Sequence, residues 1–149
     1  VIEVRPLRED DVEAVDAELP LNRLDQWRAE GSTFLIAWDG ERPVGHAHVA
    51  WEGTKLGAPE LQDVFVAEDA RRRGIATELT SAAEREARAR GHDRLSLSVG
   101  VGAFAARTLY ERLGFVDAGI APERVAGTIV LRGEPFEVDD TLVYLVKQL

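Results

Sequence analysis

Three consecutive arginines and a glycine, Arg71-Arg72-Arg73-Gly74, stand where an apolar run ends and a helical period begins. The run closes at Val66, a charged connector follows, and from Ile75 onward Ile75, Leu79, Ala82, Ala83 and Ala87 recur at helical spacing. Strand, basic turn and helix in that order leave the first N–H groups of the helix without intrahelical acceptors, at the positive end of its dipole and beside guanidinium groups. Gly74 would let an anion come close to the backbone, and Ala76 keeps the next exposed position small. The same residues also describe an ordinary solvated turn. No Gly-Lys-Ser/Thr follows, so a Walker phosphate loop is excluded, and the Rossmann glycine spacing is absent.

Proton chemistry has its own candidates. Glu60 opens a strand expected over residues 60–66, with Asp63 near its middle. Regular alternation puts Glu60, Gln62, Val64 and Val66 on one face, provided no bulge shifts the phase. A carboxylate so placed can take a proton from an amine; it can equally be a solvated strand-start group or a partner for substrate charge. His46 and His48, two apart on the preceding strand, could bind metal or relay protons. No cysteine or convincing carboxylate set joins them and His92 lies in a separate turn, so a structural or substrate-facing role is expected instead. Tyr110, on a helix expected over 103–113, carries a phenol that can donate a proton or simply satisfy a backbone acceptor at a cleft edge.

Periodicity supplies the elements that must position these groups. Residues 1–7 alternate as a first strand, and Asp10 or Asp11 can cap an element carrying Val12, Val15 and Leu19 that Pro20 ends. A second short helix is expected over 21–30, with Leu24 and Trp27 one turn apart, Trp27 as a packing anchor and Gly31 as its stop. Residues 33–38 and 43–51 read as strands joined at Asp39-Gly40, with Gly45, Ala47, Val49 and Trp51 on one face and Val44, His46, His48 and Ala50 on the other. The helix from Ile75 should end near Arg90, with Glu84–Arg88 and Glu86–Arg90 as solvated i,i+4 pairs. Strands are then expected over 93–99, 115–121 and 141–146. Between the last two, residues 122–140 contain Gly127, Gly133 and Pro135 and a short apolar segment, 128–131, that can extend a strand or form a hairpin, with the register open.

A chain of 149 residues suits one domain over its whole length, 1–149. Its net charge of −9 argues against nucleic acid as a partner while leaving room for a cationic amine. The absence of cysteine rules out a disulfide framework and a thiol nucleophile and permits a reducing compartment. No signal-peptide core or membrane-spanning apolar run is present in the sequence, so a cytoplasmic protein without a membrane partner is expected.

Two stretches together resemble the Gcn5-related N-acetyltransferases (GNAT). Arg71-x-x-Gly74-x-Ala76 after a strand is similar to that family's Arg/Gln-x-x-Gly-x-Gly/Ala signature, and Ala106-x-x-Leu109-Tyr110-x-x-x-Gly114-Phe115 to its second common segment. The resemblance implies an α/β fold, a single domain with a central twisted mixed sheet flanked by helices and splayed at its central strand. It implies acetyl-CoA as acyl donor, with pyrophosphate at Arg71, Arg72, Arg73, Gly74, Ile75 and Ala76 and pantetheine along the backbone of Val64, Phe65 and Val66. Glu60 would be the base, an N–H near Val66 the oxyanion donor and Tyr110 the acid for the departing thiolate. Ala103 stands where the family often has an asparagine. The acceptor implied is a primary amine, on a small molecule or a peptide, and a homodimer is compatible with the reading. A noncatalytic acyl-CoA-binding regulatory module and a domain binding a different phosphate ligand are the alternatives.

Overall fold

The computed structural model describes residues 1–19, 32–131 and 134–149. The strands are β1 (Ile2–Pro6), β2 (Ser32–Asp39), β3 (Arg42–Ala50), β4 (Glu60–Val66), β5 (Arg94–Gly100), β6 (Val116–Asp117), β7 (Glu123–Leu131) and β8 (Glu134–Gln148). The helices among the described residues are α1 (Val12–Glu18), α2 (Ile75–Ala89) and α3 (Phe104–Arg112). The strands join in one sheet in the order β1-β2-β3-β4-β5-β8-β6, with β7 added to β8. The helix expected over 21–30, with Leu24, Trp27 and Gly31, lies outside the described residues.

The sheet divides two apolar layers. On one face α2 lays Ile75, Leu79, Ala82, Ala83 and Ala87 against Ala47, Val49, Leu61, Leu95 and Leu97. On the other, Val15 and Leu19 of the α1 region cover Phe34, Ile36 and Trp38. Each face is a strand's alternate residues, which is why an apolar-polar alternation and a helical period suffice to build both layers. The approach of α2 depends on Gly45: a Cβ there would lie 2.9 Å from Phe65 O, 3.2 Å from Ile75 Cγ2 and 3.3 Å from Leu79 Cδ1. Every neighbour in the sheet is antiparallel except β4 and β5, which run parallel.

One open alternative is settled and two expectations change. Residues 122–140 form a long hairpin, β7 pairing with the first part of β8 from Glu123↔Leu142 to Leu131↔Glu134. The second part of β8 enters the sheet between β5 and β6, and the strand expected over 115–121 shortens to β6, because Gly119 N–H turns back to Asp117 Oδ1. Glu84 is buried rather than solvated. Its Oε1 accepts from Lys147 Nζ at 2.7 Å, while Arg88 stands at 3.9 Å. The i,i+4 spacing identified a local partner, and a lysine brought in by β8 took its place.

Candidate active site

The parallel ladder of β4 with β5 holds only Glu60↔Ser96 and Leu61↔Leu97. Beyond Leu61 the two strands part, and a cleft of about 490 Å³ opens between them. Its walls include Glu60 to Val64 of β4, Leu97 to Val99 of β5, Ala103, Ala106 and Tyr110 at and along α3, and Leu142 and Tyr144 of β8. Leu61, Leu97, Val99, Val143, Leu145 and Tyr110 belong to the α2-side layer. Alternation therefore sends Glu60, Gln62, Ser98 and Tyr144 to the opposite face. The cleft is a slot through the sheet, with Tyr110 on one side and Glu60 on the other.

A bulge makes this arrangement. Opposite β4, His46 pairs with Phe65 but His48 pairs with Gln62, so β4 carries one extra residue. Asp63 absorbs it at φ +53°. The expected common face of Glu60, Gln62, Val64 and Val66 is thereby broken: Phe65 packs on the α1-side layer, and Val64 and Val66 on the α2 side. Ala67 N–H donates to Val44 O at 2.8 Å, so Gly45 and Val66 form a non-hydrogen-bonded pair. The N–H and C=O of Val66 consequently face the gap left by β5. Arg71 Nε donates to that carbonyl at 3.1 Å. Phe65 turns its ring away, 5.4 Å from His46, and pairs its backbone with β3.

At the upper end of the same gap lies a second hollow of about 170 Å³, lined by Val66, Arg71, Arg72, Gly74, Ile75, Ala76, Thr77 and Leu109. Val66 continues the strand that lines the slot, and Leu109 is Tyr110's neighbour on α3. Gly74 begins α2 at φ +72°, and no side chain caps the helix, which leaves its first N–H groups for an anion. A Cβ on Gly74 would meet no protein atom within 4 Å. Arg72 also takes a left-handed backbone, φ +67°. Arg73 is placed differently: its Nη1 donates to Asp39 Oδ2 at 2.9 Å, while Asp69 accepts from Arg42 Nη2 at 2.8 Å. Both ion pairs tie the basic loop to the β2–β3 turn, and hydrogen bonds from Arg73 and Arg42 hold the Asp39 and Asp69 carboxyls below the usual range.

Tyr110 is 8% exposed, its ring edge-on to Phe115 at 5.8 Å, and burial pushes its phenol above 10. Glu60 accepts at Oε1 from Gln62 Nε2 at 2.8 Å. Across the slot Tyr144 is 7% exposed, with its phenol also raised, first by burial and then by the carboxylates of Glu123 and Glu60. The strand reading of β8 included Tyr144 without giving it a site; its signal was the alternation with Val143 and Leu145, which directs it away from the core. Lys55 and Glu123 pair beside it. His46 and His48 are buried against Phe65 and Phe34, and no metal-binding group of three occurs among the described residues.

Residues 2–115 match the family model described as the Acetyltransferase (GNAT) family. The uncharacterized N-acetyltransferase YsnE of Bacillus subtilis (strain 168) is 33% identical over 94 residues, 62% of this chain. The match spans 61% of that relative's length. Among solved structures, a Bacillus subtilis acetyltransferase in complex with CoA superposes with a TM-score of 0.73 at 19% identity, over 100% of this chain and 99% of that one. A GNAT family acetyltransferase from Elizabethkingia anophelis with acetyl-CoA bound gives 0.72 at 17%, over 99% and 98%. At those identities the likeness is one of fold.

Proposed function

The chain belongs to the GNAT acetyltransferase family, and on that premise we propose that it moves an acetyl group from acetyl-CoA to a primary amine by direct attack. The observation that supports this best is the slot between β4 and β5, which runs from the hollow at the uncapped start of α2 to a region with the Tyr110 phenol on one face and the Glu60 carboxylate on the other. Arg71, Arg72 and the N–H groups of Ile75 and Ala76 would hold the pyrophosphate; Arg73, engaged with Asp39, would brace the loop. The backbone edge of Val64 and Val66, freed from β5, would carry the pantetheine arm, with Phe65 keeping that edge in place through β3.

Glu60 would take a proton from the amine, directly or through one water, as its nitrogen bonds to the acetyl carbon. The N–H of Val66 would stabilise the oxyanion, and as the carbon–sulfur bond breaks Tyr110 would give its proton to the thiolate. The raised phenol suits that last step, since the proton stays in place until a thiolate forms beside it. The net charge of −9 favours approach of a cationic acceptor, whether a small molecule or a peptide amine. Turnover of acetyl-CoA against a library of primary amines, with free CoA and acylated products read by mass spectrometry, tests the proposal. An amine-dependent product is expected. CoA binding with no product would make the chain a binding module, and no CoA binding would remove the phosphate assignment.

A further inference from the structure

Behind Glu60 lies a directed chain of hydrogen bonds. Glu60 Oε1 accepts from Gln62 Nε2 at 2.8 Å, and Gln62 Oε1 stands 3.1 Å from His48 Nδ1. An ionised carboxylate only accepts, so the amide must turn its NH2 to Glu60 and its oxygen to His48. Nδ1 of His48 must then carry the ring proton. His48 is itself fixed, 3% exposed on β3 with its ring 4.6 Å from that of Phe34. Glu60 sits where β4 is still paired on both sides, to Ala50 and Ser96, one residue before the last β4–β5 pair, Leu61 with Leu97. Backbone and side chain are thus held beside the point where the slot opens.

We propose that Gln62 is a positioning residue, held by the Nδ1–H tautomer of His48, that locks one oxygen of Glu60 and leaves the other to receive the amine proton. This rests on the reading of Glu60 as the base. A loose carboxylate would lose part of the gain from general base catalysis through rotamer freedom and misdirected lone pairs. The titratable groups around Glu60 are His48 behind Gln62 on β3 and Tyr144 on β8 with Lys55 and Glu123 beyond it, while Asp63, three residues on along β4, acts on His46. The hydrogen bond to Oε1 comes from Gln62.

Nitrogen-15 NMR of the full chain, with histidine signals assigned through His48→Asn, reads the tautomer without any turnover. The expected result is His48 protonated at Nδ1, and Gln62 side-chain amide signals that respond as acid protonates Glu60, a response lost in Glu60→Gln. In Gln62→Met, which keeps the volume and removes both hydrogen bonds, kcat should fall on the order of tenfold while KM for acetyl-CoA stays at the parent value. A parent His48 protonated at Nε2 alone, or a folded Gln62→Met with the parent kcat, would overturn the proposal. If Gln62→Met does not fold, the parent's tautomer and amide response decide. If both are as expected and no amine is acetylated, the hydrogen-bond chain stands, and the positioning role falls together with the acetyl-transfer reading.

Discussion

Tyr110 and His46 are each shifted by burial, with opposite consequences. For the Tyr110 phenol, loss of water disfavours the anion and keeps the proton in place at neutral pH. Tyr110→Phe retains the ring contact with Phe115 and removes only the hydroxyl, so it should cut kcat on the order of 100-fold with acetyl-CoA affinity little changed. Steady-state kinetics beside calorimetric titration of the cofactor would separate the two; equal turnover in the variant would strip Tyr110 of the acid role. For His46, burial lowers the affinity for a proton below the ordinary 6.5, only partly offset by Asp63. The unfolded chain therefore binds more protons than the folded one as pH falls below about 6.5, and the stability held by neutral His46 is lost across that window. The expected outcome is a melting temperature that declines from pH 7.5 to 5 more steeply in the parent than in His46→Leu; parallel curves would refute it.

Loop and helix together make the proposed anion site, and their anchoring explains what could be read from sequence and what could not. The strand, the basic turn and the start of α2 were legible because apolar periodicity and a glycine mark them locally. The fate of Arg73 was not, since Asp39 lies 34 positions away and only folding brings it to 2.9 Å. The bulge was hidden for a similar reason: nothing about Asp63 demands a left-handed backbone, and it arises from matching β4 to β3. The length of the β7–β8 hairpin escaped because Gly127, Gly133 and Pro135 punctuate a stretch whose pairing is set between two strands rather than along either one. Gly74 is where local and tertiary requirements coincide. Gly74→Val would force a β-branched residue to φ +72°, straining the loop by about 1–3 kcal/mol, and would point a side chain at the ligand. Weaker CoA binding in calorimetry is expected, and unchanged affinity would count against this placement of the pyrophosphate.

Across the whole molecule, the sheet must be tight on one side of β4 and open on the other. Tightness comes from β3, where Gly45 admits both α2 and the Phe65 carbonyl. Gly45→Val should therefore cost about 1–3 kcal/mol or more through overpacking, measurable as a lower urea midpoint with an unchanged slope, whereas an unaltered midpoint would mean α2 can shift freely. The alternating strands and both apolar layers were visible in the sequence, but the parting of β4 from β5 was expected only through family resemblance, because no residue type encodes where two parallel strands cease to pair. A slot that pierces a sheet has two doors. Donor and acceptor entering by separate doors would occupy the protein together, and neither would have to leave before the other arrives. Initial velocities measured against one substrate at several fixed levels of the other should then give converging double-reciprocal lines, whereas a shuttling covalent acyl-enzyme would draw them parallel.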